Sequence, residues 1–255
     1  MEEKTTEVTQ ETSVETKKKK EKKTKAEKVK KREITVKADK NGRHIMKFLN
    51  FLRVILIPIY WTLKPYRFYG NRKVKDGACI YVGNHLTMFD VFYPASTTWE
   101  GIHYVAKKEN FSAPILGGWL IKVKAICANR DGNDVRAMLD CFKCLKNGEK
   151  ISIYPEGTRN KTDAVMLPFH HGAATMAIKT KTPIVPIMIY KKPRFFRMAH
   201  IIVGEPIELT EYYDRKLTTE EVEEADNKVR EIMLGILEDH RIYLENKKKK
   251  KGKKK

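Results

Sequence analysis

From residue 78 onward, short apolar runs alternate with segments of helical period. Residues 78–82, 102–106, 123–127, 151–154, 184–190 and 201–203 are apolar-dominated and have the length of buried strands. Over 134–146, Val135, Met138, Leu139, Phe142 and Leu145 recur at helical spacing, and Gly148 follows as a stop. A shorter helix is predicted over 171–179 and a long one over 218–246. In the long one, Thr218 and Glu221 are spaced for a capping box, and Val222, Ala225, Val229, Met233 and Ile236 lie along one side. Strands alternating with helices predict an α/β domain with a mostly parallel sheet flanked by helices. Ligands of such a sheet bind at the carboxyl ends of its strands.

A different pattern precedes that domain. Residues 46–63 read MKFLNFLRVILIPIYWTL, with ten uncharged residues after Arg53 and a proline at position 58. A bilayer span needs about 20 apolar residues, so a crossing is not expected. Lys47, Asn50 and Arg53 recur every three residues as one narrow polar stripe on an otherwise apolar segment. Trp61, Tyr60, Lys64, Tyr66 and Arg67 follow, a mixture suited to lipid headgroups. Residues 45–70 therefore predict an amphipathic, membrane-associating helical segment. The competing expectation is a helix packed on the protein's own core.

Charge separates the ends from the middle. The net charge is +20, of which residues 1–44 contribute +6 and residues 247–255 contribute +8. Both ends lack the apolar content to order themselves, so 1–44 and the poly-Lys tail 247–255 are expected to be disordered, with the domain proper at 71–246. The lysines suit an anionic membrane surface. No aromatic residue interleaves with them to stack on bases, so no specific nucleic acid is expected as partner. Four cysteines in 255 residues make no disulfide framework. Cys141 and Cys144, three apart on a helix, read as packing residues, and no metal site is expected. The polar start Met1-Glu2-Glu3-Lys4 has no secretory pattern.

Two clusters could carry chemistry. In Gly83-Asn84-His85-Leu86-Thr87-Met88-Phe89-Asp90 an apolar strand ends and a helical pattern begins near Thr87. A turn there can bring His85 against Asp90. A neutral imidazole suits base catalysis near pH 7, and a carboxylate on its other nitrogen fixes the tautomer. The plainer alternative is that Thr87 and Asp90 form a helix cap and His85 is a loop residue. The second cluster, Tyr154-Pro155-Glu156-Gly157-Thr158-Arg159, follows another strand. Gly157 permits close backbone approach, and the Arg159 fork suits phosphate oxygens; the alternative is a plain turn with a Glu–Arg ion pair.

Taken together, Asn84-His85-x4-Asp90 and Pro155-Glu156-Gly157-Thr158-Arg159 resemble the paired motifs of the glycerolipid acyltransferase superfamily, most closely the 1-acylglycerol-3-phosphate acyltransferases. Residues 105–109, 114–119, 125–130 and 185–187 resemble the family's intervening and following blocks. The chain departs from the family at Phe169-His170-His171-Gly172, where a lysine is frequent after the phenylalanine. The resemblance implies that His85 is the base that deprotonates the free hydroxyl of an acylglycerol phosphate and that Asp90 orients it. Arg159, with Arg130 and Lys107, would hold the phosphate. Gly157 and Thr158 would add hydrogen bonds, while Glu156 and Asn84 shape the site. It further implies acyl-CoA or acyl carrier protein as co-substrate, no other cofactor, and a peripheral or monotopic position on the cytoplasmic face of a membrane. Two other expectations compete with it. One is a relative acting on another lysolipid or on glycerol 3-phosphate; the other is a non-catalytic, basic membrane- or RNA-associated protein.

Overall fold

The computed structural model describes residues 32–71, 76–129, 134–170 and 172–252. Its strands are β1 (Tyr66–Gly70), β2 (Cys79–Gly83), β3 (Ile102–Lys107), β4 (Ile126–Ala128), β5 (Lys150–Ile153), β6 (Ile184–Ile189) and β7 (Ala199–Val203). They form one seven-stranded sheet in the order β1-β7-β6-β2-β5-β3-β4. All neighbours pair in parallel except β6 and β7, so the sheet is mixed and mostly parallel. β2, β5 and β6 are buried along their whole length. Both faces of those strands are covered, which is why β2 and β6 read as apolar runs rather than alternations, whereas β5 buries the polar Lys150 and Ser152 as well. β1 escapes the sequence pattern. Its Tyr66 and Arg67 look interfacial, yet they pair with Ala199 and His200 more than a hundred residues away.

The helices are α1 (Lys47–Leu63), α2 (Phe92–Ala95), α3 (Pro114–Lys122), α4 (Val135–Lys146), α5 (Ala173–Thr180) and α6 (Thr219–Gly252). One core joins the sheet to α4, α5 and α6 through residues such as Ile80, Ile151, Cys144, Ala177 and Met233. The other joins it to α1 and α2 through Leu49, Tyr60, Tyr81, Tyr93 and Ile187. Local signals set the ends of these helices. The Asp134 carboxylate accepts from Ala137 N at 3.2 Å. Beyond α4, Gly148 takes φ +82, a conformation that favours glycine. Thr218 N donates to Glu221 Oε2 at 2.9 Å, and Glu221 N donates to Thr218 Oγ1 at 3.3 Å, completing the expected capping box.

Of the polar stripe of helix α1, Arg53 turns inward, Asn50 is half-buried and Lys47 is exposed. Arg53 is buried; its Nε donates to the Ala95 carbonyl at 2.9 Å and its two terminal nitrogens donate to the Trp99 and Glu100 carbonyls at 3.0 and 2.7 Å. It also donates to Asn50 Oδ1. A guanidinium with five donors can close off several loop carbonyls at once, so Arg53 clamps α1 onto the domain. Phe51, Val54, Ile55 and Ile59 are left exposed on the helix. No helix among the described residues is long and apolar enough to cross a membrane.

Within the two ends expected to be disordered, residues 32–44 and 247–252 are ordered. From residue 32 the chain is docked: Ile34 is buried in the sheet core, Val36 N donates to Glu149 Oε1 at 3.0 Å, and Arg32 donates to the Ile121 carbonyl at 2.7 Å. A few long-range anchors suffice where composition alone predicts none; residues 1–31 lie outside the described residues. At the other end α6 continues through the lysines to Gly252. Lysine is a good helix former, cations suit a helix C-terminus, and extending a nucleated helix is easier than starting one.

Candidate active site

The site stands where β2 and β5 end side by side. Gly83 closes β2, and a Cβ there would lie 2.8 Å from the Ile187 carbonyl and 3.2 Å from the Tyr154 ring. The strands can therefore approach only because the residue is glycine. Asn84 follows, buried. Its Nδ2 donates to the Ile189 carbonyl at 3.0 Å and its Oδ1 accepts from Ile189 N at 2.8 Å, so a side chain prolongs the ladder to β6. The chain then turns, and His85 leaves the sheet in a fixed direction.

Asp90 is fully buried and organises that turn. Its Oδ2 accepts from Leu86 N and Thr87 N, each at 2.7 Å, and lies 2.9 Å from His85 Nδ1. Its Oδ1 accepts from the Thr87 hydroxyl at 2.6 Å. The capping reading and the catalytic reading thus describe one arrangement: Thr87 and Asp90 do form a local box, and the same carboxylate meets the imidazole. An ionised carboxylate only accepts, so Nδ1 carries the ring proton and Nε2 keeps a lone pair. The regular helix begins later than the sequence predicts, at Phe92, because this turn uses the backbone N–H groups for the carboxylate. The Tyr154 ring stacks on the imidazole, with centroids 4.4 Å apart and planes at 24°. Sequence reasoning gave Tyr154 no role; its position beside the second motif was the one available signal.

The second motif locks onto the first. Glu156 is buried, and its Oε1 accepts from His85 N at 2.7 Å while its Oε2 accepts from Leu167 N at 2.9 Å. Burial pushes its carboxyl up from the ordinary range, opposed by those two backbone donors. Asn160 N also donates to the His85 carbonyl at 2.7 Å. Glu156 therefore pairs with backbone, and no Glu156–Arg159 ion pair forms. Gly157 has φ +65, and a Cβ would sit 2.6 Å from the His170 ring. His170, at the position of the family's frequent lysine, donates its backbone N–H to the Pro155 carbonyl at 2.8 Å.

These loops open into a cavity of about 1380 Å³. His85, Lys107, Gly157 and Arg159 line it, together with apolar side chains of α1 and α4 such as Leu52, Leu56, Met138 and Phe142. Arg159 and Lys107 are exposed on its wall, and Lys107 Nζ lies 3.5 Å from Glu109 Oε2. Thr158 is exposed beside Arg159, while Asp90, Glu156 and Asn84 stand behind the wall as buried supports. Arg130 lies outside the described residues, although Asn129, just before it, lines the cavity.

One group of metal-ligand type occurs among the described residues, away from this cavity. His103, Cys144 and Glu149 bring ligand atoms within 4.8 Å of one another. Their capacity is already used: His103 Nδ1 donates to the Lys124 carbonyl at 2.9 Å, Nε2 meets Glu149, and Glu149 also accepts from Val36 N. Burial holds the Cys144 thiol well above its usual range. The cluster reads as a hydrogen-bonded anchor for the 32–44 segment.

The acyltransferase family model matches residues 65–190, which run from β1 to the end of β6 and contain both motifs. Over those residues the chain is similar to the acyltransferase family. A chloroplast 1-acyl-sn-glycerol-3-phosphate acyltransferase of Brassica napus is 30% identical over 158 residues, 58% of this chain and 44% of that one. The Bacillus subtilis enzyme of the same name is 34% identical over 117 residues, 44% of this chain and 57% of its own length. A crystal structure of the 1-acyl-sn-glycerophosphate acyltransferase PlsC from Thermotoga maritima has the same fold, with a TM-score of 0.58 at 22% identity over 74% of this chain and 78% of that one. The chain is thus similar to the 1-acylglycerol-3-phosphate acyltransferases, and residues 65–190 carry its match to the acyltransferase family model. It spans about half the length of the two curated relatives described here.

Proposed function

We propose that this protein transfers a fatty acyl group from a thioester, acyl-CoA or acyl carrier protein, to the sn-2 hydroxyl of 1-acylglycerol 3-phosphate, giving phosphatidate for phospholipid biosynthesis. The observation that carries the reading is the His85–Asp90 pair, 2.9 Å apart, at the wall of a cavity that also holds Arg159 and Lys107. His85 Nε2 takes the hydroxyl proton. The oxygen attacks the thioester carbonyl, the C–S bond breaks, and the leaving thiolate recovers the proton from the imidazolium. Asp90 stabilises that imidazolium. Arg159 and Lys107, with Arg130 in the adjoining loop, hold the acceptor's phosphate, and Gly157 and Thr158 add hydrogen bonds around it. Positioning of this kind supplies much of the rate gain in group transfer. The route calls on no metal or prosthetic group. A volume near 1380 Å³ exceeds the few hundred to about 1000 Å³ usual for small-ligand sites, which suits two large amphiphiles.

The protein acts as a peripheral or monotopic enzyme on the cytoplasmic leaflet. The outward apolar residues of α1 support this, since burying each large side chain contributes about 1.5–3 kcal/mol. The experiment is thiol release from palmitoyl-CoA and from palmitoyl carrier protein, using the full chain with lysophosphatidate, lysophosphatidylcholine or glycerol 3-phosphate. Release that depends on lysophosphatidate is expected. Equal release without acceptor, or faster release with either other acceptor, overturns the assignment.

A further inference from the structure

The connection between β6 and β7 reads Lys191-Lys192-Pro193-Arg194-Phe195-Phe196-Arg197-Met198, with four cations and no carboxylate. It folds back sharply. Arg194 and Arg197 form an antiparallel bridge, and Arg197 N donates to the Arg194 carbonyl at 3.3 Å. That leaves Phe195 and Phe196 at the tip, 62% and 76% exposed. Phe196 has φ +54, the left-handed region that turns ordinarily assign to glycine or asparagine. A bulky residue held there, and pointed into water, is an outlier of the kind that marks function.

The tip is fastened to the site's edge of the molecule. Phe196 N donates to the Leu63 carbonyl, the last of α1, at 2.9 Å. Lys64 Nζ lies 4.6 Å from the centre of the Phe195 ring and 5.6 Å from that of Phe89. Phe89 precedes Asp90 and lines the cavity. None of the four loop cations forms an ion pair among the described residues.

We propose that this turn is an interfacial wedge for an anionic bilayer: Phe195 and Phe196 enter the boundary of the acyl region while the flanking lysines and arginines meet headgroup phosphates. The cavity mouth is thereby held against the leaflet that supplies an amphiphilic substrate. The proposal deepens the lysolipid reading above and rests on it for the substrate, but not for the binding. Charge alone would equally suit an acidic protein. The apolar tip favours lipid, because it continues the outward row of Phe51, Val54, Ile55 and Ile59 on α1, and aromatic side chains beside cations suit the membrane interface.

The test uses the full chain with vesicles of phosphatidylcholine alone or mixed with phosphatidylglycerol. A Phe195→Ser/Phe196→Asn variant keeps a residue that tolerates the left-handed turn. Losing two buried aromatic anchors should weaken cosedimentation with mixed vesicles by about tenfold or more. Turnover on short-chain, micelle-free lysophosphatidate and acyl-CoA should stay unchanged. A second variant, Phe196→Cys, takes a polarity-sensitive fluorophore selectively because all four native cysteines are buried. Its emission should shift to the blue with mixed vesicles and not with phosphatidylcholine alone. Unchanged affinity of the double variant overturns the wedge, as does a label that stays in a polar environment on vesicles or is shielded by an acidic carrier protein instead. Absence of lysophosphatidate turnover in the wild type would count against the enzyme reading, and vesicle binding would still decide the wedge.

Discussion

Asp90 and Arg159 serve the same cavity under opposite conditions. Asp90 is fully buried and meets four donors: the Leu86 and Thr87 amides, the Thr87 hydroxyl and the His85 ring. Arg159 is exposed and makes no hydrogen bond with the described residues. In the proposed reaction the proton-handling half of the site is thus assembled during folding, with its orientation fixed before any ligand arrives. The proposed cationic half would be completed by the ligand itself, which would bring the anion that the guanidinium lacks. The buried half carries structural consequences when altered; the exposed half should not.

The sharpest way to break that contrast is to change Asp90. Asp90→Asn places an amide where one oxygen accepts from two backbone N–H groups, so it should lower acyl transfer by about 10²–10⁴ and cost about 1–3 kcal/mol of stability for the unsatisfied buried groups. Thiol-release rates and denaturant unfolding measure the two effects. His85→Ala should lose comparable rate while nearly retaining the unfolding midpoint. An Asp90→Asn protein as stable as wild type would show that the network is not structural.

Arg159→Ala probes the other half. Removing a charge-assisted contact worth about 1.5–3 kcal/mol should raise KM for lysophosphatidate by roughly 10–100-fold, with a smaller change in kcat. The melting temperature should not move, and Arg159→Lys should recover part of the loss. A fall in kcat at constant KM would mean that Arg159 acts on the transition state rather than on the bound phosphate.

The smallest effect concerns a second histidine pair, at the sheet edge. His200 Nδ1 and His240 Nε2 lie 2.7 Å apart, among the rings of Tyr69, Tyr190 and Tyr243. Burial first, then Arg67, Lys247 and Lys191, push His200 below the usual imidazole range; burial and His200 do the same to His240. Both are neutral in the folded chain and take up protons more readily when unfolded. Their contribution is therefore present above the ordinary imidazole range and lost as pH falls through it. Thermal midpoints should drop by a few degrees between about pH 7.5 and 5.5, and His240→Phe should reduce that slope. An unchanged slope in the variant assigns the acid sensitivity to other groups.

Much of this molecule was legible in the residues. β2 and β6 announce themselves as continuous apolar runs because both sheet faces are covered, and α4 and α6 carry their period and caps locally, in Asp134, Gly148, Thr218 and Glu221. The His85–Asp90 and Glu156–Arg159 clusters could be found because each is short and lies at a strand end. Other features depended on distant partners. β1 exists through its pairing with β7, and Arg53 of α1 turns inward because loop carbonyls receive it. The Glu156 carboxylate, which one-dimensional reading would pair with Arg159, goes instead to the His85 amide. The order of α/β elements and the candidates for the reacting groups follow from local periodicity and chemistry, which neighbouring residues encode. Which oxygen meets which nitrogen, and which side of α1 faces outward, was decided only on folding, because those contacts join residues whose separation along the chain carries no information about their distance in space.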